Sequence, residues 1–144
     1  MFNLDLDTRL SEWAKLRHRI ENSETPFEDV CDFWLNAPFT PFNNHVDHYF
    51  QGNWPTPWEI ISENRYDDFT KALMMAWTLK YTKRFQNSNV ELRTYVDENK
   101  TLVYNVVVVD ESKVLNFNDT GPVDFNDITN TFLLENLIEV KNRP

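Results

Sequence analysis

The stretch DDFTKALMMAWTLKY, from Asp67 to Tyr81, decides the fold. Phe69, Ala72, Leu73, Met74, Met75, Ala76, Trp77 and Leu79 make it apolar nearly all round, the pattern of a helix covered on most sides. Asp67 or Asp68 caps its start. After the polar turn Gln86–Asn89 the period of the sequence changes to that of a strand, with Val90, Leu92, Thr94 and Val96 on one face. Asp97–Lys100 turns the chain into a second strand, Thr101–Val109, whose run Val106–Val109 suits burial on both faces. Asp110–Lys113 turns it again into Val114–Phe117. The expected class is α+β: N-terminal helices and a buried central helix packed on an antiparallel meander of three to four strands.

Upstream, residues 7–22 read as a helix. Leu10, Trp13, Leu16 and Ile20 recur at helical spacing, and Asp7 or Thr8 is the candidate cap. Thr25-Pro26-Phe27-Glu28 has the form of a capping box with proline at the first helical position. The helix that follows runs through Val30, Phe33 and Trp34 until Pro38 stops it. The same box returns as Thr56-Pro57-Trp58-Glu59 and predicts a third short helix. Between the two boxes, residues 36–55 read as a long loop. Its aromatics, Phe39, Phe42, Tyr49 and Phe50, imply that it packs down on the domain. Downstream of the turn Asp119–Pro122, Asp127–Glu135 reads as helix and Leu137–Val140 as an edge strand.

The length of 144 residues fits one domain. Within it, residues 1–55 hold the N-terminal helices and aromatic loop, 56–122 the core, and 123–144 a C-terminal extension. Gly52 and Gly121 are the only glycines, so Gly-rich phosphate loops are excluded. The single cysteine, Cys31, builds neither a disulfide framework nor a cysteine-based zinc site, and fits a reducing compartment. Residues 1–7 lack the basic start and apolar run of a signal peptide, and no apolar run reaches membrane-span length. A net charge of -9 repels phosphate backbones and argues against direct nucleic-acid binding.

The segment Tyr66–Met75 and the strand–turn–strand from Tyr104 to Thr120 together resemble the transglutaminase-like, papain-related fold, over roughly residues 56–122. The resemblance implies a cysteine at the start of the central helix, a histidine on a following strand and an acid or amide on the next. At those positions this chain has Asp67, Tyr104 (or Val103, in the other register) and Asn118. An asparagine can orient a base, but here there is none to orient. The histidines His18, His45 and His48 all lie upstream of the central helix. The resemblance therefore implies a pseudoenzyme with vestigial site positions, no catalytic residue, no cofactor and no metal. Trp54-Pro55-Thr56-Pro57-Trp58-Glu59, shortly before Tyr66-Asp67-Asp68, is also similar to small proteins of large tailed bacteriophages. That similarity implies a phage origin and no more; the expected location is the virion or the cytoplasm of the infected cell.

Other constellations compete with this reading. His45-Val46-Asp47-His48 is ligand-like and could draw on Cys31 or Asp32, but neutral loop imidazoles explain it as well. Asp67 and Asp68 are neighbours on a helix and point in different directions, which suits capping rather than a shared proton. Phe39, Phe42, Tyr49, Phe50, Trp54 and Trp58 form a candidate protein contact. Residues 36–58 contain no Lys or Arg, so a base-stacking platform is disfavoured. The expected role is a structural or protein-interaction module, with virion components as candidate partners. An acidic host-directed inhibitor or nucleic-acid mimic is the alternative, and an enzyme of unrecognised chemistry the second.

Overall fold

The computed structural model describes residues 1–43, 46, 47 and 49–141. Four helices come first: α1 (Leu6–Ile20), α2 (Pro26–Trp34), α3 (Pro57–Glu63) and α4 (Asp68–Lys80). Strands β1 (Val90–Val96), β2 (Val103–Val109), β3 (Lys113–Leu115) and β4 (Val123–Asp124) follow, then α5 (Phe125–Thr129) and β5 (Leu133–Glu139). The class is α+β, with five α-helices and one five-stranded antiparallel sheet among the described residues.

Local chemistry sets the helix starts. The cap of α1 is Asp5, not Asp7 or Thr8. Its extended backbone lets the carboxylate accept from the Thr8 amide at 2.8 Å, so the helix begins one residue early. The two Thr-Pro boxes diverge. At Thr56 the box is complete: the hydroxyl accepts from the Glu59 amide at 3.2 Å, and Glu59 accepts from the Thr56 amide at 3.0 Å. At Thr25 the backbone is turned (φ -129°, ψ 56°) and the hydroxyl donates to Asp29 instead, so the expected cap bond is missing. Thr56→Ala should therefore cost about 1 kcal/mol and Thr25→Ala a few tenths. Urea unfolding midpoints of the two variants would separate these values.

Helix α4 is buried from Phe69 to Leu79 apart from Lys71, as the sequence predicts. It packs on β1 and β2 and also touches α1 and α2. Thr78, fully buried, accepts from the indole nitrogens of Trp13 (2.9 Å) and Trp34 (3.2 Å) and donates to the Met74 carbonyl. This hydroxyl ties three helices together.

The strand order is β4-β3-β2-β1-β5. The turn after β2 has Asp110 and Glu111 both at φ 51°, the geometry that matches the twist of a tight hairpin. Val107 and Val109 face α4 together with Val90, Leu92 and Leu115. Val106 and Val108 face the other way, into a smaller cluster with Tyr95, Val114 and Ile128. The run Val106–Val109 is thus buried on both faces, as expected. The expected three to four strands are corrected to five. Strand β4 is only two residues long. Strand β5 lacks period-two alternation because Glu135 is an extra residue: Thr94 pairs with Asn136, and Tyr95 with Leu134. The helix expected over residues 127–135 is corrected to α5, which begins at Phe125 and ends at Thr129.

The loop packs down as expected, but through Asn43, Val46 and Trp54 rather than through the four aromatics Phe39, Phe42, Tyr49 and Phe50. Phe39 (74%), Phe42 (68%), Tyr49 (72%) and Phe50 (62%) are exposed, while Val46 and Trp54 take the buried places. The loop is also held by its backbone. Thr40 donates to the Tyr66 carbonyl and Tyr66 donates to the Pro38 carbonyl, so the aromatic rings are not needed as anchors.

Candidate functional site

The position that matters is the N-terminus of α4, where the first turn leaves amides without helical partners. Asp67 occupies the cap. One carboxylate oxygen accepts from the Thr70 amide at 2.7 Å and the other from the Asn43 amide at 3.1 Å. Asp67 therefore ties the aromatic loop to the helix while it satisfies the helix end.

Asp68 points elsewhere, as neighbouring helical positions must. It accepts from the Asn105 side-chain amide on β2 at 3.2 Å and from the Asn116 side-chain amide at 3.2 Å. Asn116 also donates to the Asn105 carbonyl at 2.9 Å. It sits just past β3 with φ 68°, a left-handed conformation that asparagine tolerates better than most residues. One carboxylate and two amides thus join the helix start to β2 and to the end of β3.

The expected trio of Asp67, Tyr104 and Asn118 is not brought together. Tyr104 lies on the sheet face away from α4, stacked on Phe117 at 4.7 Å and against Phe132 at 5.0 Å. Asn118 is exposed and accepts from the amide and hydroxyl of Thr120. Each residue at the junction is offset from the expectation: Asp68, Asn105 and Asn116. The sequence marks Asn105 only by its polarity, which does not say which face of β2 meets α4. Asn105 shares strand parity with Val107 and Val109, and it is a polar interruption in an otherwise apolar row.

Cys31, on α2, approaches the backbone amide of Asn116, so it borders this junction. Its thiol is buried, and burial pushes its pKa up to about 11, against 9.0 for an ordinary thiol; the Asn116 amide opposes this only in part. A protonated, buried thiol is inert as a nucleophile. Alkylation at mildly alkaline pH should be slow in the folded protein and fast in urea. The native state holds this proton at pH values where the unfolded chain has released it. Stability should therefore decline between about pH 9 and pH 11, and a Cys31→Ala variant should lose that part of the decline.

His45 and His48, the ligand-like pair, lie outside the described residues. Among the described residues no group of three or more His, Cys, Asp or Glu side chains is placed to hold a metal ion. No helix among them is long and apolar enough to cross a membrane. Of the candidate contact aromatics, Phe39, Phe42, Tyr49 and Phe50 are exposed to solvent. Trp54 is buried against Phe69 and Trp77, and Trp58, though partly exposed, packs edge-on against Trp13 and Tyr81. No family model, curated protein or solved structure matches the chain.

Proposed function

We propose that this chain is a non-catalytic, phage-type protein-interaction module on a degenerate transglutaminase-like scaffold, serving as a virion component or as an accessory protein in the infected cell. The observation that carries the interaction reading is the aromatic loop. Phe39, Phe42, Tyr49 and Phe50 are large, exposed rings on a segment pinned by backbone hydrogen bonds to the start of α4. Exposed aromatics on a held backbone are costly in water and gain most from burial against a protein partner. The absence of Lys and Arg from residues 36–58 turns the same surface away from nucleic acid.

The non-catalytic reading rests on the α4 junction. In the resembled family the start of the central helix, a following strand and the end of the strand after that one carry nucleophile, base and orienting group. The corresponding elements here carry Asp68, Asn105 and Asn116, engaged with one another. A carboxylate without an imidazole is a poor nucleophile towards amides. The phage-type assignment draws on the Trp54–Glu59 segment.

The test has two arms. Mass spectrometry of purified particles from the source should find the chain at a fixed copy number, and Phe39→Ala/Phe50→Ala should abolish its incorporation while the variant stays folded. Amide hydrolysis and acyl transfer should be undetectable. Turnover that disappears in Asp67→Ala or Asp68→Ala would overturn the non-catalytic reading.

A further inference from the structure

Strand β5 closes one end of the sheet, and its outer edge has no strand partner among the described residues. Exposed edges are normally blunted by proline, by lysine and other charges, by a bulge or by extreme shortness, and of these β5 has the bulge at Glu135 and two glutamates. The opposite edge, β4, is two residues long, but β5 runs for seven and contains neither Pro nor Lys. Leu133, Leu134 and Leu137 are exposed along it.

The bulge gives this strand a property that its sequence conceals. Leu134 pairs with Tyr95 and Leu137 with Arg93, so both lie on the sheet face away from α4. Leu133, Asn136 and Ile138 pair with Val96, Thr94 and Leu92 and lie on the α4 face. Residues three apart, such as 134 and 137, share a face only because Glu135 is the extra residue between them. The strand is therefore palindromic about Asn136. An antiparallel copy related by a two-fold axis through Asn136 sets Leu134 opposite Leu137, Leu133 opposite Ile138, and Asn136 opposite itself. Every opposed pair lies on one face. The bulged Glu135 drops out of the ladder, and Glu139 meets Phe132, so no glutamate opposes a glutamate.

We propose that β5 is a self-association edge: two copies of the chain join antiparallel through Leu133–Glu139 and extend their sheets into one. The symmetry is isologous, the same patch serving both copies. The contact is a single strand pair between chains that each carry a charge of -9, so the dimer is weak, concentration-dependent and favoured by salt, which screens the repulsion. This inference goes beyond the aromatic-loop reading and stands on a different element.

The experiment is sedimentation velocity on the full chain over a wide concentration range, at low and high salt. Self-association should strengthen with salt, and Leu134→Lys/Leu137→Lys should weaken it by about tenfold or more by placing like charges opposite each other. Both positions are exposed, so the fold should be retained, as circular dichroism would verify. Phe39→Ala/Phe50→Ala should leave it unchanged, which separates this inference from the loop reading. As a register test, Asn136→Cys should form a disulfide-linked dimer on mild oxidation, while Leu102→Cys, exposed but off this edge, should not. A chain that stays monomeric throughout would overturn the proposal. So would a dimer that survives the lysine pair, or equal cross-linking at both cysteine positions.

Discussion

Thr78→Val should destabilise the protein by about 2–6 kcal/mol, although it replaces one small side chain by another of the same shape. The hydroxyl is the acceptor for two buried indole N–H groups, those of Trp13 on α1 and Trp34 on α2. An indole nitrogen can only donate, so neither has a second use for its proton. Valine fills the space and leaves both donors buried without a partner, each costing about 1–3 kcal/mol. Thr78→Ser keeps the acceptor and loses one methyl, so its cost should be about 1 kcal/mol. Urea unfolding of the pair distinguishes hydrogen bonding from packing. If Val and Ser cost the same, the hydroxyl is not what holds the three helices in register.

Leu73→Ala should cost about 2–5 kcal/mol. Leu73 is fully buried on α4, between the sheet and the N-terminal helices, where a deleted isobutyl group leaves a cavity the surroundings cannot close. Trp77→Ala, one turn on, should fall in the same range or higher. Leu133→Ala on the exposed edge is the control and should stay within about 0.5 kcal/mol in dilute solution. Losses below about half a kcal/mol at both Leu73 and Trp77 would place the core elsewhere.

The candidate site was legible in part. Asp67 as the cap of α4 follows from the carboxylate, the helical run after it and the need of a helix end for acceptors. Tyr104 and Asn118 were misplaced because residues 106–109 are all valine, which hides the parity of β2. Whether residue 104 or 105 faces α4 cannot be read from a row that is apolar on both sides. The pairing settles it: Val107 lies opposite Leu92, whose face is known from β1, so Asn105 turns to the helix and Tyr104 away. Asn116, left-handed and just past β3, is placed by where that short strand ends.

What the sequence determined by itself is whatever depends on neighbours along the chain. The apolar circumference of Phe69–Leu79 makes a buried helix, Thr56-Pro57-Trp58-Glu59 makes a helix start, and the β-branched run to Val109 makes a strand covered on both faces. Each follows from periodicity or from reach over three or four residues. What only the tertiary structure decided depends on residues far apart. Thr78 became an acceptor because α1 and α2 bring two indoles to it. Phe39, Phe42, Tyr49 and Phe50 stayed outside because Val46 and Trp54 took the buried places. Strand β5 became a palindromic edge because pairing with β1 expels Glu135 from the ladder. The last of these is a one-residue shift of register, which no local pattern encodes, since it is fixed by the strand alongside.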